Sequence, residues 1–341
     1  MLEVKFMDES ICSDIFEAIR LIEPSSPVLS LKDKEGRGVL QRHLSYDMMS
    51  GLDGKTVMIP RTGLNVQFYR GQRNKDWICE PIIYRNATEE SLLIDRLKMI
   101  DFTIVAEEFP PVYYARDMNV QVDMLALAQH YEMKTNMLDL TSDISVAAFF
   151  AATKFDEKAG CYIPVSDGIG CICTFFSFLG MEPEDLGFRI IGLQPFHRPG
   201  QQCAFGLKLP KGTNMESLNR GRKIYFRHNR RYNQQILNIF GKEKNNVLFP
   251  EELIADVAKR IRDSTSVTER AVEQYCIEYG ATKGELITKL QDLRISVHDK
   301  PVFRLTKREN DALRKQFKRN PFGNIEIPIY QRLTYRPSQR S

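Results

Sequence analysis

The segment from Ile144 to Thr153 constrains the fold of this chain more than any other part of its sequence. It reads ISVAAFFAAT, and its apolar residues cover every side of a helix. A helix that is apolar all round is buried, so the chain must build a core around it. The residues before it predict a short helix, a tight connection and a strand. We therefore expect a helix–strand–helix unit at the centre of a globular domain.

Polar residues lie where this strand meets the buried helix. Asp139, Thr141 and Ser142 come just before it, and either Ser142 or Asp143 suits the N-cap position. Side chains held beside the free N–H groups of a helix start can bind a ligand. The same residue types are common in turns, so capping alone also explains them.

Length and composition bound the possible classes of protein. The 341 residues suffice for two or three domains, or for one large domain with appendages. Seven scattered cysteines without a CxxC motif favour reduced thiols, and five histidines without HxxxH spacing give no support to a metal site. The longest apolar run, Val146 to Ala152, is far shorter than a membrane span, and the acidic N-terminus does not resemble a signal peptide. We therefore expect a soluble cytoplasmic protein with no membrane partner.

An arginine followed by glycine ends the predicted strand from Asn65 to Gln72. The guanidinium of Arg70 can form paired hydrogen bonds to a phosphate or carboxylate, and Gly71 would let a ligand approach the backbone. The alternative is a strand-end arginine paired with a surface carboxylate. Further strands are predicted at 170–178 and 200–209, with Gln201 and Gln202 just before the alternating part of the second.

Two segments are strongly basic. Residues 220–231 contain six Lys/Arg and no acid, and residues 301–341 contain ten Lys/Arg against three acidic residues. Such segments are usually solvated surfaces, but they also suit contact with nucleic acid or an acidic protein. The polar, Ser/Thr-rich stretch from Asp263 to Thr268 is the best candidate for a linker.

Four stretches of the chain share motifs with one known family: Phe68–Gln72, Ala126–Ala151, Arg198–Leu207 and Leu248–Leu253. They resemble the FRG domain family, because FYRGQ matches the signature that names it and the other three stretches resemble its later blocks. The resemblance covers about Val66 to Arg262, with Glu132 and Cys203 at positions where the family usually has glycine. It implies an N-terminal extension (1–60), an FRG domain (61–262) and a helical, basic C-terminal region (263–341).

The order of these blocks also resembles that of ADP-ribosyltransferases. This weaker resemblance implies an α+β fold with a mixed, split β-sheet, surrounded by helices. It also implies NAD as the substrate, with Arg70 holding its phosphates or ribose and with Thr141 and Ser142 forming a Ser/Thr-rich strand end. The catalytic glutamate of those enzymes corresponds to Gln201 or Gln202 here. A glutamine cannot supply a negative charge or take up a proton.

Two classes of function follow from these resemblances. In the first, the protein cleaves NAD, with Asp139 or Gln202 at the reacting carbon, Gly71 near the phosphates, and His130 and Tyr131 against the nicotinamide. Such an enzyme would suit a role in bacterial defence against phage. In the second, the domain is a non-catalytic module that binds a nucleotide, a nucleic acid or a protein, partly through its basic segments.

Overall fold

A computed structural model describes residues 11–32, 44–50, 54–61, 67–177, 187–241, 246–319, 321–322 and 329–331. Asn65 and Val66, and the tail beyond Gln331, lie outside the described residues. Within the described ranges, no helix combines the length and apolar character needed to cross a membrane.

The described chain contains both helices and strands in the following order. The helices are α1 (Ile15–Ile22), α2 (Glu89–Glu107), α3 (Pro110–Asp117), α4 (Met124–His130), α5 (Ile144–Ala152), α6 (His197–Gln201), α7 (Arg230–Ile239), α8 (Leu253–Asp263), α9 (Glu269–Tyr279), α10 (Lys283–Asp292) and α11 (Lys307–Arg319). The strands are β1 (Tyr46–Ser50), β2 (Thr56–Pro60), β3 (Gln67–Gln72), β4 (Met137–Thr141), β5 (Thr153–Asp156), β6 (Cys161–Pro164), β7 (Ile169–Phe176), β8 (Phe188–Ile190), β9 (Ala204–Lys208), β10 (Lys223–Arg227), β11 (Ser266–Thr268), β12 (Ser296–His298) and β13 (Ile329–Gln331).

Helix α5 is buried, as its sequence predicts. Of its nine residues only Phe150 is not fully buried, and the helix lies in a core cluster with residues of α1, β3 and α7. Asp143 is the N-cap, and its carboxylate accepts a hydrogen bond of 2.8 Å from the backbone N–H of Ser145. The small side chains of α5 let it lie directly against β3, so this strand–helix contact is the centre of the domain.

A six-stranded sheet in the order β10-β7-β3-β4-β9-β8 forms the main β-structure, and all of its pairings are antiparallel. The α+β class is therefore confirmed. Parallel pairing occurs between β1 and β13 and between β11 and β12, which lie in separate small sheets. The prediction that the main sheet is mixed is therefore wrong; among the described strands only the small sheet β13-β1-β2 combines parallel and antiparallel pairing.

The main sheet divides between β3 and β4. These two central strands share a single residue pair, Tyr69 with Thr141, whereas β3 pairs with β7 along six residues. Beyond that pair β3 and β4 diverge, and the polar groups of Arg70 and Asp139 lie on opposite sides of the gap. The sheet therefore has two halves of three strands, joined at the pair of Tyr69 and Thr141.

Two segments outside the predicted core, at Cys12 and at 266–268, pack on neighbouring elements. Backbone atoms of Cys12 bond to Tyr225 and Arg227 and cover the outer edge of β10, so basic segment 220–231 does not present a free strand edge. Residues 266–268 form β11, and the N–H of Thr268 donates to the buried carboxylate of Asp101 at 3.0 Å. The stretch expected to be a linker is thus fixed to α2. The domain boundaries at 60 and 262 stay predictions.

One strand begins later than its pattern predicts. The stretch 200–209 forms strand only from Ala204, because His197–Gln201 is the short helix α6 and Gln202 ends it. Gln202 therefore lies in a helix-to-strand turn rather than at the opening of a strand.

Candidate functional site

A cleft of about 370 Å³ opens where β3 and β4 diverge. This volume falls within the usual range of small-molecule sites. Residues 69–73 form one wall, and residues 139–141 form the other. Helix α5 and the β5–β6 hairpin close the remaining sides. Six of the eight residues predicted for the site line this cleft together: Arg70, Gly71, His130, Asp139, Thr141 and Gln202.

Arg70 spans the gap between the two halves of the sheet. Its Nη1 donates to the backbone oxygen of Asp139 at 2.9 Å, which satisfies a carbonyl left unpaired by the divergence of the strands. Its buried Nε has no hydrogen-bond partner among the described residues. No described carboxylate forms an ion pair with this guanidinium. The described residues therefore do not form the surface salt bridge that was the alternative for Arg70. A positive charge with an unused donor therefore lies in the cleft wall.

His130 and Asp139 face each other in the floor of the cleft. His130 Nε2 lies 3.8 Å from Asp139 Oδ1, and neither atom has a hydrogen-bond partner among the described residues. The other oxygen of Asp139 accepts from Gln129 Nε2 at 3.0 Å. Two hydrogen-bond acceptors at this distance can form a hydrogen bond only if a proton or a donor group lies between them.

Gln202 fixes the tautomer of His130. Its amide nitrogen donates to the backbone oxygen of Leu248 at 3.0 Å, so its amide oxygen faces His130 Nδ1 at 3.1 Å and Nδ1 carries the proton. Burial lowers the pKa of His130 below its ordinary value of 6.5, which keeps the ring neutral near pH 7. The lone pair of Nε2 is consequently directed at Asp139 and can accept a proton.

Thr141 and Gln202 are committed to the protein's own structure. The Thr141 hydroxyl donates to the backbone oxygen of Gln202 at 2.7 Å and accepts from the N–H of Asp143 at 3.0 Å. The oxygen and the nitrogen of the Gln202 amide are both engaged as described above. Capping and turn contacts therefore account for both hydrogen bonds of the Thr141 hydroxyl. Gln202 orients the ring of His130. Contact of either side chain with a ligand stays a prediction.

Tyr131 and Ser142 do not line the cleft. Tyr131 is only 1% exposed, its hydroxyl donates to Glu252 Oε2 at 2.5 Å, and the guanidinium of Arg198 lies 4.7 Å from the centre of its ring. Ser142 bonds through its backbone N–H to Cys203. Groups from α6 and the start of α8 enclose the ring of Tyr131, and its contact with the nicotinamide stays a prediction.

Gly71 allows helix α5 to pack closely against β3. A Cβ at this position would lie 1.9 Å from the backbone oxygen of Ala147 and 2.6 Å from the backbone nitrogen of Ala151. The space that a side chain would need is thus filled by α5. Gly71 also contributes backbone to the cleft wall, and its role in ligand approach stays a prediction.

Other lining residues were not predicted from the sequence. Arg73 and Lys154 add positive charge, and Glu157 adds a carboxylate. Trp77 and Phe155, which are 39% and 51% exposed, place aromatic rings in the cleft wall. Arg73 could have been noticed as a second arginine close to Arg70. The β5–β6 hairpin residues carry no motif, so only the fold identifies them.

The described residues contain no group of three or more His, Cys, Asp or Glu side chains that could hold a metal ion.

The comparisons with known proteins support one assignment. The family model described as "FRG domain" matches residues 65–159. The chain contains an FRG domain. No curated protein and no solved structure gave a significant match. The matched part of the FRG domain includes Arg70, His130, Asp139 and Thr141, whereas Gln202 lies beyond it.

Two departures from the FRG pattern have a structural consequence. Glu132 and Cys203, which stand where the family resemblance expects glycine, have φ angles of 66° and 47°. Backbone in this left-handed region is unstrained for glycine and unfavourable for other residues. Both positions therefore have backbone conformations that glycine would adopt with less strain.

This strain predicts that the protein is more stable with glycine than with alanine at position 132. We expect Glu132→Gly to have a free energy of unfolding about 1 kcal/mol higher than Glu132→Ala, because alanine keeps the left-handed strain and glycine relieves it. Both variants remove the 2.9 Å ion pair with Arg262, so the comparison isolates the backbone term. Urea denaturation followed by circular dichroism measures the difference. Equal stability of the two variants, or a less stable glycine variant, would contradict the argument.

Proposed function

We propose that the cleft of the FRG domain binds NAD and cleaves the bond between nicotinamide and ribose. The observation that carries this proposal is that Arg70 and the His130–Asp139 pair line one cleft. The cleft has three cationic side chains, of Arg70, Arg73 and Lys154, and two carboxylates, of Asp139 and Glu157. This excess of positive charge favours an anionic ligand. The exposed rings of the cleft wall suit stacking against the bases of a dinucleotide.

The chemistry that we propose uses each group in a defined role. Arg70 binds a phosphate of NAD through its free donors, and Asp139 stabilises the positive charge that develops on the ribose as the C–N bond breaks. The bonding electron pair leaves with nicotinamide. Water or an acceptor hydroxyl then bonds to the ribose carbon and gives up its proton to His130 Nε2. With water, the products are nicotinamide, ADP-ribose and one proton.

Substitution of Arg70 tests binding. We expect Arg70→Ala to weaken NAD binding about tenfold or more, because a charge-assisted hydrogen bond contributes about 1.5–3 kcal/mol. Isothermal calorimetry with NAD measures the affinity, and chromatography of the same mixtures measures nicotinamide release. Arg227→Ala is the matched control, since this arginine is exposed and does not line the cleft. No binding and no release by the unaltered protein would refute the proposal.

A second function shares the same cleft. Gln202 stands where the ADP-ribosyltransferase resemblance expects a glutamate, and its amide is engaged by His130 and Leu248. This favours a module that binds a nucleotide without turnover. NAD binding that depends on Arg70, with no release of nicotinamide over long incubation, would support this second function over the first.

A further inference from the structure

Helix α11 carries its basic residues on one side. Six Lys/Arg occur in its 13 residues, and at 3.6 residues per turn they fall within about 140° of the helix circumference. All six are exposed, whereas Phe317 on another side is 5% exposed. We define these residues as the α11 basic face: Lys307, Arg308, Arg314, Lys315, Lys318 and Arg319.

The charge of the α11 basic face is not neutralised by its surroundings. None of its six side chains forms an ion pair with a described carboxylate. Asp311 lies within the same arc, whereas Glu309 is turned to the N-terminal end, where it accepts hydrogen bonds from Thr306. The face therefore presents six positive charges and one negative charge to solvent.

Interactions within the helix do not account for this arrangement. Cations in the last turn are favoured by the helix dipole, but Lys307 and Arg308 occupy the first turn, where cations are unfavourable. Two pairs of like charges lie four residues apart, Arg314 with Lys318 and Lys315 with Arg319. Such pairs destabilise a helix. The arrangement thus weakens the isolated helix, and an anionic partner would compensate for it.

An exposed aromatic ring lies beside this face. Lys318 Nζ lies 5.6 Å from the ring centre of Tyr114, and that ring contacts Tyr113, which is 64% exposed. The ring of Tyr114 also stacks on Phe317, which anchors α11 to α3. The cations extend over about 18 Å, and a solvent-facing tyrosine lies beside them. Binding of single-stranded nucleic acid requires these two features, positive charge and an aromatic ring.

We infer that the α11 basic face binds single-stranded nucleic acid, with its cations on successive phosphates and Tyr113 stacked on a base. The phosphate contacts are independent of base sequence, so the surface selects for a flexible polyanion with accessible bases. This surface is separate from the cleft and does not depend on the function proposed for it.

Fluorescence anisotropy with the full chain tests the inference. The probes are labelled oligothymidylate and oligouridylate of about 20 nucleotides, which exceed typical single-strand site sizes. We expect the triple variant Arg314→Gln, Lys315→Gln, Arg319→Gln to bind at least tenfold more weakly. The slope of log affinity against log salt should fall by about 2, as expected for three lost phosphate contacts. Tyr113→Ala should weaken binding at least fivefold and leave that slope unchanged.

A matched variant distinguishes the contribution of the α11 basic face from the effect of net charge on binding. Arg20→Gln, Lys208→Gln, Lys289→Gln removes the same charge from exposed positions elsewhere and should leave affinity within about twofold. Circular dichroism confirms that each variant is folded. Absence of binding by the unaltered protein would overturn the inference, as would equal weakening by both triple variants. Preferential binding to vesicles of phosphatidylcholine and phosphatidylserine would also overturn it, because a lipid surface would then be the partner.

Discussion

Asp139→Asn is expected to lower the rate of nicotinamide release about 100-fold or more while NAD affinity changes by less than about threefold. The asparagine oxygen can still accept the hydrogen bond from Gln129, so the shape of the cleft is kept. What is lost is the negative charge beside the developing positive charge on the ribose, and the acceptor opposite His130. Removal of one group of this kind typically lowers catalysis by a factor of 10²–10⁴.

Nicotinamide release under saturating NAD, followed by chromatography, measures this effect. Glu157→Gln is the matched control, because it removes the other carboxylate of the cleft wall at a position away from the His130 network. We expect its rate to stay within about threefold of the unaltered protein. A similar loss in both variants would assign the effect to the overall charge of the cleft. An unchanged rate in Asp139→Asn would remove Asp139 from the mechanism.

The sequence predicts the parts of the site that depend on local pattern. An all-apolar helix must be buried, so α5 and its Asp143 cap follow from the residues between 143 and 152. The Arg-Gly pair at the end of β3 and the polar turn after β4 are equally local signals. That Arg70 and Thr141 line one cleft was expected only from family resemblance, because their meeting depends on how distant strands pair.

Hydrogen-bond partners far apart in the chain could not be predicted. Whether the Thr141 hydroxyl is free depends on the carbonyl of Gln202, and whether Tyr131 reaches the cleft depends on Glu252. The single pair that joins β3 to β4 leaves no trace in either strand's sequence, because both retain ordinary strand composition. Residues of the β5–β6 hairpin enter the site only through the packing of α5.

Gly71→Ala is expected to destabilise the protein by more than about 3 kcal/mol, enough to prevent recovery of folded material at ordinary growth temperature. The added Cβ would lie 1.9 Å from one backbone atom of α5 and 2.6 Å from another. Backbone atoms of a buried helix cannot move independently, so β3 and α5 would have to separate. Overpacking a core typically costs 1–3 kcal/mol, and a clash with the backbone of two residues of one buried helix exceeds that range. Domain stability is only about 5–15 kcal/mol.

Soluble yield and urea denaturation followed by circular dichroism measure this effect. The matched control is Gly284→Ala in α10, where a Cβ meets no atom within 4 Å and the exposed helix gains up to about 1 kcal/mol. The two possible roles of Gly71 predict different results. If it served only the approach of a ligand, Gly71→Ala would fold normally and lose NAD binding. Because α5 fills the space beside it, we expect folding itself to fail, and Arg70 to lose the strand that holds it across the gap.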